Sequence, residues 1–172
     1  MSMFEAALAE QLQRASIVDV RPAPAHITST PSWYRPVTAE CFLAEAKRQA
    51  LEPWRLLAVL KTEGGRVGAF SPNRDGSYDI GPMQVNTIHL ADLSRVFGTS
   101  PSQLAQLLAY DGCFNVSVGA WLLRTKTNEA SGDFWYGIGR YHSKTPSKST
   151  QYILRVHKNM QEIVGQGDSA KR

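Results

Sequence analysis

The chain has no long apolar run: no stretch approaches the roughly 18 residues that a membrane-spanning helix needs, so no integral membrane segment is expected. Cysteine is scarce. The only two, Cys41 and Cys113, form no C-x-x-C pair, and the four histidines at 26, 89, 142 and 157 show no ligand spacing, so neither a zinc site nor any other cofactor is expected. On spacing alone the two cysteines are compatible with a bridge or with two buried thiols. A large excess of one charge is also missing. The net charge of +4 and pI of about 9.2 suit an anionic partner such as a membrane surface or a bacterial wall. Lys and Arg are scattered, and no zinc-finger or aromatic RNA-binding signature accompanies them, so nucleic acid is not the expected partner. There is no internal repeat and no low-complexity tract. The opening MSMFEAALAEQLQRASIV lacks the basic-then-apolar layout of a signal peptide, which by itself points to the cytosol.

What is present is a chain of 172 residues, 42% hydrophobic and 20% charged, the size at which one compact domain with a real core is the default. Four Trp, six Tyr and six Phe supply rigid surfaces that serve either a core or stacking against sugar rings. Phe4, Ala7, Leu8, Leu12 and Ile17 predict a short N-terminal helix over 3–17 with no tight cap. Pro22, Pro24, Pro31 and Pro36 then mark an extended linker or wrapping arm, so 1–37 reads as helix plus arm and the main domain as 38–164. Thr38 is positioned to cap a helix through Ala50, and Pro53 to open a second one with the stripe Leu56, Leu57, Leu60, stopped by Gly64 and Gly65. The turn Asn73-Arg74-Asp75-Gly76 before Tyr78-Asp79-Ile80 predicts a small hairpin. Helices follow over 87–97, from the capping box Ser100-Pro101-Ser102-Gln103, over 111–124, and around Phe134 to Tyr141. After a polar loop over 143–149, Tyr152, Val156, Met160 and Ile163 predict a last helix, with a frayed, flexible tail over 165–172. The fold class expected is mainly α, with one small β-hairpin excursion.

Glu63 is the residue whose placement invites chemistry. It lies three positions beyond Leu60 and seven beyond Leu56, so it continues the apolar face of its helix and points inward. Burial and the negative end of the helix dipole both disfavour its charged form, raising its pKa toward what a general acid needs near neutral pH. The plainer reading is an exposed glutamate at a helix end.

The stretch LAVLKTEGG (57–65) followed by NRDGSYDIGPMQVN (73–86) resembles the lysozyme-like superfamily, most closely the lytic transglycosylases associated with conjugation, type IV secretion and pilus assembly. In those families a helix-terminal Glu precedes Gly-x-Met-Gln and an Asn. The commonest form has Glu-Ser, where this chain has Glu63-Gly64. Downstream, Asp111-Gly112-Cys113-Phe114-Asn115-Val116 with Gly119-Ala120 resembles the family helix that packs beneath the cleft. Gly139-Arg140-Tyr141-His142-Ser143 resembles the motif of the far wall, with His142 where many relatives carry Asn. The resemblance spans about residues 38–160. Relatives of the secretion and pilus branch carry cysteines matching Cys41 and Cys113, which implies a disulfide and an oxidising compartment. That outweighs the missing leader and favours the periplasm or cell envelope.

The resemblance implies cleavage of the β-1,4 bond between N-acetylmuramic acid and N-acetylglucosamine in peptidoglycan glycan strands, for local wall opening beside a secretion, conjugation or pilus machine. Glu63 would be the acid, and a 1,6-anhydro product would form without water. Asp79 stands where animal-type lysozymes keep a second carboxylate, so a hydrolytic lysozyme using Glu63 and Asp79 remains open; so does a hairpin-end carboxylate that bonds the backbone. A wall-binding assembly factor without catalysis is the third reading. Tyr78, Met83, Gln84, Asn86, Tyr141 and His142 are the candidate substrate-binding residues, the amides because a glycan offers acetamido and hydroxyl groups. Set against this are helix capping by Asn86 and core packing by Met83 and Tyr141. Asn73, Asp75, Ser77 and Asp79 alternate like the start of a calcium loop. Tyr78 at its sixth position and Gln84 at its twelfth remove the sharp turn and the bidentate ligand, and calcium is rejected.

Overall fold

The computed structural model describes residues 1–165. Local signals set most of its elements. Helix α1 (Met3–Ser16) opens on a full capping box, the Ser2 hydroxyl accepting the Glu5 N–H while the Glu5 carboxylate accepts the Ser2 N–H, a tight cap where none was expected. Its Leu8, Leu12 and Ala15 are buried in the same core as the rest of the chain. The Pro-rich arm then wraps the domain. Asp19 N–H donates to the Val67 carbonyl (2.7 Å), and Arg35 bridges Asp111 through Arg35 N–H to Tyr110 O (2.8 Å) and Gly112 N–H to Arg35 O (2.9 Å). The buried Asp19 carboxylate is held by the Arg21 guanidinium, which keeps its pKa below the usual carboxylate value.

Thr38 caps α2 (Ala39–Arg48) by accepting the Cys41 N–H. This helix stops two residues before the expected Ala50, because Ala50 has turned left-handed (φ 49°). Helix α3 (Pro53–Glu63) has Pro53 in its first turn and ends at Gly64 with φ 63°, a conformation that costs glycine little. Leu56 to Leu60 are all buried, so α3 is the central rod of the core. Strands β1 (Phe70–Pro72) and β2 (Tyr78–Ile80) make the expected hairpin, and β3 (Val85–Asn86) adds a third antiparallel strand, in the order β1-β2-β3 with Asp79 paired to both Ser71 and Asn86.

The predicted helix over 87–97 begins as a 3-10 turn, Thr87–His89, capped by Asn86, before α4 (Leu90–Phe97). The capping box Ser100/Gln103 opens α5 (Pro101–Tyr110). Asp111 caps α6 (Gly112–Glu129), which runs beyond Arg124. Asp133 caps α7 (Phe134–His142). The polar loop is shorter than predicted, since α8 (Pro146–Gly165) starts within it and includes Gly165; residues 166–172 of the expected tail lie outside the described residues. Helix α8 packs on α3 and α7, and α6 on α7 and α2. Each large side chain buried here, such as Phe42, Leu56 or Ile138, contributes about 1.5–3 kcal/mol. Cys41 and Cys113, near the starts of α2 and α6, form a disulfide. The architecture is mainly α with a small antiparallel sheet.

Candidate functional site: a carboxyl at the floor of a cleft

A cleft of about 470 Å³ opens between the three-stranded sheet and the ends of α3, α7 and α8. Its lining includes Glu63, Asp79, Gln84, Asn86, Tyr141 and His142. Glu63 comes from the last residue of α3, where continuation of the apolar face carries it inward. Oε1 of Glu63 accepts a hydrogen bond from the Tyr152 hydroxyl of α8, whose ring is buried. Desolvation pushes the Glu63 pKa up to about 7, and the nearby Asp79 charge adds to this. The Tyr152 hydrogen bond and the Arg155 charge oppose it. Near neutral pH such a carboxyl carries its proton in a large fraction of molecules and can donate it.

Asp79 sits on β2 as an acceptor in a side-chain cradle rather than on backbone N–H groups. Its Oδ1 accepts from Asn86 Nδ2 (2.8 Å) and its Oδ2 from Asn73 Nδ2 (3.1 Å). The Ser77 hydroxyl ties the same two amides together, at 3.1 Å from each, and donates to Asp75. Asn86 therefore lines the cleft and also caps the next turn, its Oδ1 accepting the Ile88 N–H (2.9 Å). Gln84 holds a left-handed backbone (φ 52°) and donates Nε2 to Gly81 O (2.9 Å), which leaves its Oε1 without a protein partner among the described residues.

Three of the candidate substrate-binding residues make contacts of other kinds. Met83 is fully buried rather than facing the cleft; an added Cβ on Gly119 would lie 2.6 Å from the Met83 Cβ, so α6 approaches the sheet only because that position is glycine. Tyr78 does not line the cleft either: its ring packs near His26 of the arm, centroids 5.8 Å apart. Tyr141 lines the cleft, and its hydroxyl donates to the Met83 carbonyl (2.8 Å). The residue that holds Glu63 is Tyr152, which the sequence marked only as an apolar position of α8. A buried tyrosine needs a hydroxyl partner, and that general requirement was the available signal.

His142 lies at the lip, its ring stacked on Tyr152 with centroids 4.4 Å apart and planes 4° from parallel; burial lowers its pKa. Beneath the cleft, the fully buried Asn115 accepts the Met83 N–H (2.7 Å) and donates to Ile80 O (2.8 Å) and Leu108 O (2.9 Å). That staple fixes the loop between β2 and β3. Ser143, the last residue of the far-wall motif, is also on the lining, as is Lys148, which was not singled out in the sequence. Among the described residues no group of three His, Cys, Asp or Glu side chains is placed to hold a metal ion.

Fold and site together define a mainly helical protein with a polar cleft floored by a protonatable carboxyl. No family model matches the chain. The Invasion protein IagB of Salmonella typhimurium (strain SL1344) is 32% identical over 138 residues, covering 77% of this chain and 82% of that protein. The Invasion protein IagB of Salmonella typhi is 34% identical over 125 residues, covering 72% of this chain and 74% of that protein. The chain belongs to the IagB family.

Proposed function

We propose that the chain is a peptidoglycan lytic transglycosylase of the lysozyme-like superfamily, with 38–164 as its catalytic domain and Glu63 as its acid. The observation that carries this reading is a desolvated carboxyl, pKa about 7, at the floor of a polar cleft. Because the Tyr152 hydroxyl occupies Oε1, the acidic proton belongs on Oε2. Glu63 gives that proton to the oxygen linking N-acetylmuramic acid to N-acetylglucosamine as the bond from that oxygen to C1 breaks. The resulting carboxylate then takes the proton of the muramoyl 6-hydroxyl as its oxygen closes on C1. Acid becomes base, the proton count balances, and no water is consumed.

Gln84 and Asn86 present amides to the acetamido and hydroxyl groups of the strand. Asp79, with both oxygens held by asparagine amides, acts through its negative field on the oxocarbenium-like centre rather than by attack. A hydrolytic reading with Asp79 as nucleophile is favoured only by its charge lying near Glu63. The disulfide suits an envelope or periplasmic setting, and the sequence motifs' resemblance to the secretion and pilus branch supports local wall opening beside a secretion, conjugation or pilus machine.

The test is digestion of purified sacculi with mass spectrometry of the released muropeptides. Anhydro ends, one water lighter than reducing ends, are expected; dominant reducing ends would make the protein a lysozyme. Sacculi that are bound but not cleaved, with no difference between wild type and Glu63→Gln, would make it a wall-binding factor.

A further inference from the structure

The cations are scattered along the chain, but the anions are not. Between Asp133 and Glu162 there is no Asp or Glu, while the same stretch holds Arg140, Lys144, Lys148, Arg155 and Lys158. None of these five makes a salt bridge among the described residues, whereas Arg14, Arg21, Arg35, Arg48, Lys61, Arg66, Arg95 and Lys126 all do. The stretch is α7, the loop and most of α8, so these elements bring cations but no acid to their side of the cleft; Lys47, Arg55, Arg74 and Arg124 also make no salt bridge among the described residues, but of those four only Arg74 lines the cleft. The opposite wall, the hairpin, contributes Asp75 and Asp79 with Arg74 as its one cation.

Lys148 is exposed and lines the cleft. Arg155, also exposed, lies over the Tyr152 ring at 5.5 Å, and that ring stacks on His142 at the lip. Lys148 shares the lining with His142, and Arg155 adjoins His142 through the Tyr152 ring between them. Lys126, the other lysine on the lining, is already neutralised by Glu129 (3.0 Å). Exposed cations with no acid on their own elements favour an arriving anion.

We infer that the α7–α8 wall, through Lys148 and Arg155, binds the carboxylates of the peptide stems carried by the glycan, so that the protein selects strands bearing charged stems. This rests on the transglycosylase reading. A stem leaves the lactyl group of the muramoyl sugar, next to the bond that breaks, and its free carboxylates extend several ångströms from the sugar chain. A strand seated over Glu63 can therefore place its stems against one wall only, and the charge asymmetry fixes which wall and hence the direction of the strand.

The test compares two substrates of equal size: strands with free stem carboxylates, and the same strands after capping as methylamides. Wild-type protein is expected to show kcat/KM about two- to fivefold higher on the uncapped strands, the worth of one exposed ion pair, with the preference residing in KM and fading as salt is raised. Lys148→Glu with Arg155→Glu should bring the ratio to one or below, and Lys148→Arg should keep it. Equal rates on both substrates, or a preference that survives the double reversal, would overturn this inference and leave the transglycosylase reading standing. Cleavage of neither substrate by wild-type protein would overturn both.

Discussion

Replacing Glu63 with Gln removes a titration while keeping the shape of the side chain. Gln still offers an oxygen to the Tyr152 hydroxyl, so the fold should be retained. What changes is the dependence of stability on pH. In the folded protein the carboxyl titrates at about 7, against 4.5 for the ordinary group, because burial disfavours its charge. Between those two values the folded state holds a proton that the unfolded chain has released. Stability conferred by the neutral carboxyl is thus complete below pH 4.5 and is lost as pH rises through 7.

A shift of that size corresponds to about 3 kcal/mol at roughly 1.4 kcal/mol per pH unit. All other groups cancel in the difference between variant and wild type. The variant's relative stability should therefore rise by about 3 kcal/mol from pH 4 to pH 8, steepest between 5 and 7. Urea unfolding followed by Trp fluorescence at five or six pH values reads this directly. A flat difference, or one that changes only below pH 5, would show that Glu63 is an ordinary exposed carboxylate and would refute the assignment of the acid. The same titration should end wild-type wall cleavage above about pH 7, and the variant should lose at least about a hundredfold in rate.

Asp79→Asn removes a charge that raises the Glu63 pKa, so the alkaline limb of the activity profile should move to lower pH while the loss of rate stays well below that of Glu63→Gln; equal losses would make Asp79 the nucleophile of a hydrolase. Replacing both Cys41 and Cys113 with Ala opens a link between residues 72 positions apart and should cost about 4 kcal/mol in urea unfolding, with no change in the oxidised wild type's activity on which to blame it; a cost under 1 kcal/mol would refute the estimate. Asn115→Ala leaves the Met83 N–H and the Ile80 and Leu108 carbonyls without their buried partner, and should destabilise by about 3 kcal/mol; stability within 0.5 kcal/mol of wild type, a margin set by the roughly 1 kcal/mol of a single hydrogen bond, would show that water replaces the staple.

Most helix starts were legible because a cap is a local device: Thr38, Ser100 and Asp111 accept N–H groups within three residues of themselves, and Pro53 sets its own φ for a first turn. Ser2 was overlooked although Glu5 completes its box. The inward turn of Glu63 was likewise readable, since helical periodicity alone puts it on the face of Leu56 and Leu60. Other boundaries were read less well. Ala50 ends α2 through a backbone reversal that its small side chain does not announce, and the start of α8 was missed because it falls inside a stretch whose polarity reads as loop.

Tertiary structure alone decided which groups meet at the cleft. Tyr152 lies 89 residues from Glu63, and only the packing of α8 on α3 brings its hydroxyl to that carboxyl, while the Tyr141 hydroxyl donates to the Met83 carbonyl. Asn115 meets Met83, in the loop after β2, across 32 residues, through a gap that Gly119 leaves open for Met83. The sequence by itself determined which side chains would be costly to bury without a partner; the chain's long-range packing determined the partner, because a hydrogen bond is specified by a few tenths of an ångström and no periodicity in a sequence carries that precision across many residues.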